Sequence, residues 1–175
     1  MALKYELRQV INEIAELVRK IYIVDGPVSD IDSVVSCMGG RVIEDLGIYD
    51  FSGGQIRKIG DSEFEIIVSP FRSLERRNFA IAHELGHLFL HMGFMTDSDK
   101  WRKQREEVYY RNGNSELEYQ ANEFAAAFLM PRKDYKDELD KHIKGNMVNT
   151  EKIARHFFVS IDAAVNRGIE LGYLE

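Results

Sequence analysis

The pattern in this sequence that is best suited to chemistry is a histidine pair with a glutamate beside it. Residues 83–87 read His-Glu-Leu-Gly-His, so His83 and His87 are four positions apart. Side chains at that spacing lie one above the other on the same face of a helix. The two imidazoles can therefore bind one zinc ion, which accepts nitrogen ligands in a tetrahedral shell. Glu84 lies about 100° round the helix from His83, so it stays off the ion and can serve as the general base of a hydrolase.

Zinc in a catalytic site binds three protein ligands and keeps its fourth position open, so a third side chain is required. His91 is one candidate, but a straight helix carries it about 6 Å further along the axis than His87. We therefore interpret His91 as a histidine at a helix end, favoured there by the helix dipole. Glu118 is the better candidate, because it borders the buried stripe of a later helix with Asn122 on the same face, where the amide can hydrogen-bond a ligand. From the residues alone, an ordinary surface carboxylate stays an open alternative for Glu118.

The predicted helix that carries the motif is apolar on most of its surface. Its back, opposite the histidines, is lined by Ile81, Leu85, Leu88, Phe89 and Met92. This pattern predicts a helix buried in the core, where inward-facing polar side chains need partners. Gly86 stands in the middle of the helix, where it costs about 1 kcal/mol against alanine, so we expect another backbone segment to approach closely there. The alternative interpretation of the motif is a pair of structural core histidines beside a surface glutamate.

The hydrophobic periodicity along the chain predicts an α+β fold. Helical spacing is found over residues 3–21, 30–38, 73–91, 116–130, 134–142, 150–157 and 161–171. Strand-like stretches occur at residues 41–46, 54–59 and 63–68. We expect a small three-stranded sheet packed on helices, with the motif helix in the core and a C-terminal helical pair. We divide the chain into a domain of residues 1–145 and a helix-turn-helix-like pair, residues 146–175, that packs on the same domain.

Charge and composition argue against several classes of function. The net charge is -6 and the isoelectric point is near 5.5, whereas proteins that bind nucleic acids or membrane surfaces are usually basic. In the last helix Arg167 stands against Asp162 and Glu170, so we expect a helical pair that closes the core rather than a DNA-recognition helix. The single cysteine, Cys37, excludes an internal disulfide and indicates a reducing compartment. The longest apolar run, residues 124–130, is too short to span a bilayer, and we expect a cytoplasmic protein.

Three stretches together resemble the ImmA/IrrE family of metallo-endopeptidases. They are Phe-Ala-Ile-Ala-His-Glu-Leu-Gly-His at 79–87, Glu-Tyr-Gln-Ala-Asn-Glu-Phe-Ala-Ala at 118–126 and Leu-Met-Pro at 129–131. The ending of the chain is similar as well, so the resemblance covers about residues 51–174. It implies a zincin-like fold. It also assigns His83, His87 and Glu118 as ligands of Zn²⁺ and Glu84 as the catalytic base.

The resemblance also implies a biological role. Members of that family are often encoded beside a transcriptional repressor of helix-turn-helix type and cleave or inactivate it, which switches on genes of mobile elements or stress responses. We therefore expect regulatory proteolysis of a protein substrate of that kind. The alternative is a metal-stabilised binding module that sequesters a regulator without cutting it. Glu84 favours the protease, because a pure binding module has no need of a base.

Two parts of the predicted mechanism stay open. A donor must stabilise the oxyanion, and Tyr109, Tyr110, Arg111 and His142 are candidates among which the sequence does not choose. The strand at residues 63–68 leads directly into the motif helix, so it can form a free sheet edge that takes an extended substrate as an added strand. The two glutamates of this strand would protect such an edge from aggregation. The alternative is an internal strand that is paired on both sides.

Overall fold

The computed structural model describes residues 3–22, 24–47, 54–106, 115–145 and 147–175. Within these ranges, helices span Tyr5–Ile21 (α1), Ile31–Cys37 (α2), Leu74–Gly86 (α3), Ser98–Lys103 (α4), Ser115–Leu129 (α5), Arg132–His142 (α6), Thr150–His156 (α7) and Ile161–Glu170 (α8). Strands span Gly40–Glu44 (β1), Gln55–Lys58 (β2), Phe64–Val68 (β3), Ile143–Lys144 (β4) and Met147–Val148 (β5). The predicted α+β fold with a small three-stranded sheet is confirmed, and every predicted helix and strand is present with boundaries shifted by a few residues.

β3 is the central strand of the three-stranded sheet. The strand order is β1-β3-β2, with β1 parallel and β2 antiparallel to β3, so the free-edge interpretation of residues 63–68 is wrong. The buried Glu65 shows the physical reason. Its carboxylate accepts hydrogen bonds at 2.8 Å from Arg41 on β1 and at 2.8 Å from Arg57 on β2. The polar residue that suggested an edge therefore joins the two flanking strands.

β2 lies at an edge of this sheet, and the residue before it touches the motif helix. Apart from a single bridge between Lys58 and Glu106, β2 pairs only with β3 within the described ranges. Gly54, directly before β2, is buried, and a Cβ placed on it would lie 3.0 Å from Glu84 Cγ. The sheet edge next to Glu84 is therefore β2 rather than β3.

The motif helix does not remain an α-helix to residue 91, as the sequence pattern predicted. After α3 it continues as a π-helical turn, His87–Met92, which ends at Gly93. The φ of Gly93 is 86°, in the left-handed region that favours glycine. Such π-turns change the regular spacing of a helix and are frequent at functional sites. His91 lies in this turn, and its ring is next to that of His87, as the four-residue spacing allows.

The motif helix lies in the core, as predicted, and packs against α5. The five apolar residues of its back are all buried, and Phe89 stacks on Phe124 of α5 with ring centroids 5.9 Å apart. A close backbone approach occurs at Gly86, where an added Cβ would lie 2.9 Å from the Ala121 Cα. Real Cβ atoms do not approach a backbone atom that closely, so the glycine is required. The expectation drawn from this mid-helix glycine is confirmed.

The C-terminal helices are joined to the rest of the protein by a buried arginine. α7 packs against α6 and α8, and the Arg167 side chain of α8 is 1% exposed. Arg167 donates hydrogen bonds to the Met130 carbonyl, to Glu123 and to Asn12. It is therefore not available to a phosphate group. The division of the chain at residue 145 stays a prediction.

One short helix and one short hairpin were not predicted. α4 lies in a polar stretch with weak periodicity, where Trp101 is buried and donates from its indole nitrogen to the Asp61 carbonyl at 2.6 Å. β4 and β5 form a hairpin with two residues in each strand, which is too short for an alternating pattern to be recognised. No described helix has both the length and the apolar character that crossing a membrane requires.

Candidate metal centre

Three potential metal ligands converge where α3, the π-helical turn and α5 meet. His83 Nε2 lies 3.0 Å from His87 Nε2 and 3.1 Å from Glu118 Oε2. His87 Nε2 lies 3.4 Å from Glu118 Oε1. Among the described residues, His83, His87 and Glu118 are the one group of three or more potential ligand side chains that lie close enough together to hold a metal ion. The structure thus brings together the three residues predicted as ligands, and their role as ligands stays a prediction.

The size of this triangle of donor atoms fits zinc. For bonds of about 2.0–2.1 Å, two ligand atoms in a tetrahedral shell are about 3.3 Å apart. The observed distances of 3.0, 3.1 and 3.4 Å lie on both sides of that value. Imidazole nitrogen and carboxylate oxygen are also ligand types that catalytic zinc sites use. The residues present therefore fit the ion in both spacing and donor chemistry.

Each histidine of the triangle has a hydrogen-bonding partner on its other ring nitrogen. His83 Nδ1 lies 2.9 Å from Asn122 Oδ1, which is the contact anticipated from the position of Asn122 on α5. His87 Nδ1 lies 2.9 Å from His91 Nδ1, and His91 Nε2 lies 3.2 Å from Gln120 Oε1. Sequence reasoning missed the His91–Gln120 contact, because it joins two helices that are far apart in the chain.

The surroundings of His87 and Glu118 shift the pKa of each of these two side chains. Burial, together with the neighbouring His83, lowers the pKa of His87, so its ring is neutral near pH 7 and has a lone pair to offer. Contact with His83, and to a lesser extent with His87, lowers the pKa of Glu118 against the effect of burial, so its carboxyl is ionised. A neutral imidazole and a carboxylate are the protonation states that metal ligation needs.

Glu84 is buried beside the triangle but is not part of it. Its residue exposure is 4%, and burial, with a contribution from the charge of Glu118, raises its pKa to about 7. Space for the carboxylate depends on Gly54, because a Cβ there would lie 3.1 Å from Glu84 Oε1. The sequence pattern placed Gly54 only as the first residue of a predicted strand. The signal was missed because the contact joins segments far apart in the chain.

A cleft of about 590 Å³ between α3, α5 and α8 opens onto His83 and Glu118, two of the three donors. It is lined by His83, Glu118 and Asn122 together with Tyr119 of α5 and Asn166 of α8. The C-terminal helix α8 therefore forms part of the wall of the site. This was not expected from the sequence, which indicated only that the last helices close the core.

Of the four candidates for stabilising an oxyanion, His142 is the one that lies among the described residues. The ring of His142 lies 2.8 Å from Glu138 on its own helix and does not line the cleft. Tyr109, Tyr110 and Arg111 lie outside the described residues. No oxyanion donor is therefore assigned.

Comparisons with known proteins agree with the fold and the motif. Residues 46–167 match the model of the IrrE N-terminal-like domain, Peptidase M78, which includes β2, β3, the motif helix and α5. A Mycobacterium tuberculosis transcriptional regulator of known structure is similar with a TM-score of 0.56 at 16% identity. The similarity covers 93% of this chain and 50% of that one, so the chain spans half of the regulator's length and resembles it in fold. No curated protein matches the chain significantly in sequence.

Proposed function

The chain belongs to the family of IrrE N-terminal-like domains, Peptidase M78, and from that membership we propose that it is a zinc-dependent endopeptidase acting on a protein substrate. The family match confirms the resemblance found in the sequence and supports a metallopeptidase-type function. One observation carries the proposal beyond the family. Two imidazole nitrogens lie 3.0 Å apart, and each lies 3.1 to 3.4 Å from one of the two carboxylate oxygens of Glu118, with a second carboxylate, Glu84, buried beside them.

Each residue of the centre has a distinct role in this proposal. His83, His87 and Glu118 hold the metal ion. When bound, zinc supplies Lewis-acid polarisation of the scissile carbonyl and of the attacking water. The Glu84 carboxylate accepts a proton from that water and delivers it to the nitrogen of the leaving amine. The burial of Glu84 keeps bulk water from competing for this proton.

The substrate is held at the edge of the sheet, along β2. An extended peptide that adds as a strand is bound through its backbone, whatever its sequence. Within the described ranges β2 pairs with β3 and, at Lys58, with Glu106, and Gly54 at its start touches Glu84. A peptide paired with β2 therefore passes close to the base. β2 therefore takes the role in substrate binding that the sequence suggested for β3, because β3 is paired with a strand on each side.

We propose a transcriptional repressor of helix-turn-helix type as the substrate, and regulatory cleavage as the biological role. The support is the family resemblance, which extends through the motif helix and the Glu118 helix. The second candidate is a metal-stabilised module that binds such a regulator without cutting it. Glu84 distinguishes the two, since its burial against Gly54 has no purpose in a pure binding module.

The test begins with the genes beside that of this protein, and a helix-turn-helix repressor encoded there is purified as the probe. The wild-type protein and a Glu84→Gln variant are each loaded with zinc, freed of excess metal and incubated with the purified repressor. We expect fragments with the wild type, and with Glu84→Gln a cleavage rate lower by about 10²–10⁴, the usual cost of losing a general base. Zinc content is measured on the same samples and should be equal.

Three results would contradict parts of this proposal. Near-normal cleavage by Glu84→Gln would remove Glu84 as the base. A stable complex with the repressor and no fragments from either protein would favour the binding module. Neither a complex nor fragments would remove the repressor as the substrate.

A further inference from the structure

We propose that His91 and Gln120 act together as a positioning pair, which fixes His87 in the ring orientation and the tautomer that metal binding requires. The inference rests on the proposed metal site and extends it. His91 is not a fourth ligand in this account. It acts on the metal through His87.

The pair forms a continuous chain of hydrogen bonds that ends at the donor triangle. Gln120 Oε1 lies 3.2 Å from His91 Nε2, and His91 Nδ1 lies 2.9 Å from His87 Nδ1. The opposite nitrogen of His87, Nε2, is the one that faces His83 and Glu118. His91 is 5% exposed, so these contacts are shielded from competing water.

The direction of the hydrogen bonds follows from the chemistry of the three groups. An amide oxygen only accepts, so His91 Nε2 must carry the hydrogen that it donates to Gln120. A neutral imidazole has one N–H, which leaves His91 Nδ1 as an acceptor. The hydrogen between the two rings must then belong to His87 Nδ1. His87 Nε2 is therefore left with a lone pair directed at the site of the metal ion.

Two features of the backbone make the chain of hydrogen bonds possible. His87 and His91 both lie in the π-helical turn, with ring centroids 5.0 Å apart. Gln120 is next to Ala121, the residue that the α3 backbone approaches at Gly86. The close approach of α3 and α5 therefore fixes the positions of both Glu118, the third ligand, and Gln120, the last member of the chain of hydrogen bonds. Partners that orient a metal-binding histidine in this way commonly affect metal affinity by about 10–100-fold.

The first test measures the tautomers directly in the wild-type protein. Nitrogen-15 spectra of the histidine side chains are recorded on metal-free protein and again after zinc loading. We expect hydrogen on Nδ1 of His87 and on Nε2 of His91 in both states. Hydrogen on Nδ1 of His91 in the metal-free protein would overturn the proposal, because His87 would then have to accept and its Nε2 would not be free.

The second test compares variants by zinc affinity, measured in competition with a chelator. His91→Phe keeps a ring but removes the acceptor, and zinc affinity should fall about 10–100-fold. His91→Asn places an amide oxygen where Nδ1 was, and most of the affinity should return. Gln120→Leu should cause a smaller loss than His91→Phe. His156→Asn, at a partly exposed histidine far from the site in sequence, is the control and should match the wild type.

The outcomes separate this inference from the proposed function. Metal-free melting temperatures show whether each variant is folded, and affinities are compared only among folded proteins. If His91→Phe and His91→Asn bind zinc as tightly as the wild type, His91 is only a structural residue and the inference is wrong. Equal losses in both variants would also overturn it, because an acceptor would then not be what matters. A wild type that binds zinc but cleaves nothing would contradict the proposed function and leave the inference standing.

Discussion

The two sides of the candidate site are built in different ways. On one side, α3 and α5 supply the donors from two buried helices that touch at Gly86 and Ala121. On the other side, the start of β2 and the helix α8 supply the contact with Glu84 and a wall of the cleft. The metal side depends on spacing within helices and on one close approach. The substrate side depends on which strand of the sheet lies at the edge, and only the whole topology decides that.

The largest effect is expected from removing a donor on the metal side. Glu118→Ala deletes the carboxylate that lies 3.1 Å from His83 and 3.4 Å from His87. Zinc affinity should fall by more than the roughly 10–100-fold that is typical for losing an outer partner. Zinc retained after dialysis is the measurement. Glu116→Ala, on an exposed position of the same helix, is the matched control, and equal zinc retention in both variants would show that Glu118 is not a ligand.

The next effect tests whether the metal side depends on the close approach of the two helices. In Gly86→Ala the new Cβ meets the α5 backbone, and overpacking of this kind costs about 1–3 kcal/mol. We expect lower thermal stability and weaker zinc binding together, because α5 carries Glu118. Gly168→Ala is the control, since its new Cβ would meet Tyr135 and Leu174 away from the metal. Gly168→Ala should lower the thermal stability and leave the zinc affinity unchanged. If Gly168→Ala loses as much zinc affinity as Gly86→Ala, the loss follows from lower stability and not from the contact between the two helices.

The metal side was largely predictable from the sequence because its information is local. The spacing of His83 and His87 needs only a helix, and Gly86 in mid-helix signalled the close approach. Glu118 could not be assigned from spacing alone. Its position fitted a metal ligand and an ordinary surface carboxylate equally well, and only the family resemblance favoured the ligand. His91 was set aside as a ligand, and the donor triangle does not include it, but its contacts with His87 and Gln120 were not anticipated.

The substrate side was less predictable because its information is spread over the chain. Glu65 in a strand reads as a solvent-facing residue at an edge, and only the arginines of the two flanking strands make its burial favourable. Gly54 reads as the first residue of a predicted strand, and only the folded chain brings it against Glu84. The order of three strands is likewise not specified by their individual patterns.

A smaller effect is expected from Gly54→Ala, which should change turnover without changing zinc binding. In Gly54→Ala the new Cβ lies 3.0 Å from Glu84 Cγ and 3.3 Å from the Ile67 carbonyl, so the base must shift. Turnover should fall by up to about 10²-fold, since small misplacements of a catalytic group have effects of that size. Zinc content should stay at the wild-type level. Loss of zinc would show that the two sides are not independent, and unchanged turnover would show that Glu84 tolerates displacement.

The smallest effect concerns the sheet edge, and amide exchange can detect it. The Glu84→Gln variant is loaded with zinc and mixed with the repressor, so that the substrate is bound but not cut. Exchange should slow at the outward-facing amides of β2, while the amides of the central strand β3 are protected before the substrate is added. If β2 does not respond and only the cleft segments of α3, α5 and α8 do, the peptide lies in the cleft without strand pairing.

The central claim is that two histidines and Glu118 hold one zinc ion, and X-ray absorption at the zinc edge of the loaded wild-type protein tests it most directly. The account predicts one zinc per chain after dialysis, bound by two imidazoles at about 2.0–2.1 Å and otherwise by oxygen. Three imidazoles would bring His91 into the ligand shell. A sulfur ligand would implicate Cys37, the single cysteine of the chain. Either result, or failure to retain zinc, would contradict the account.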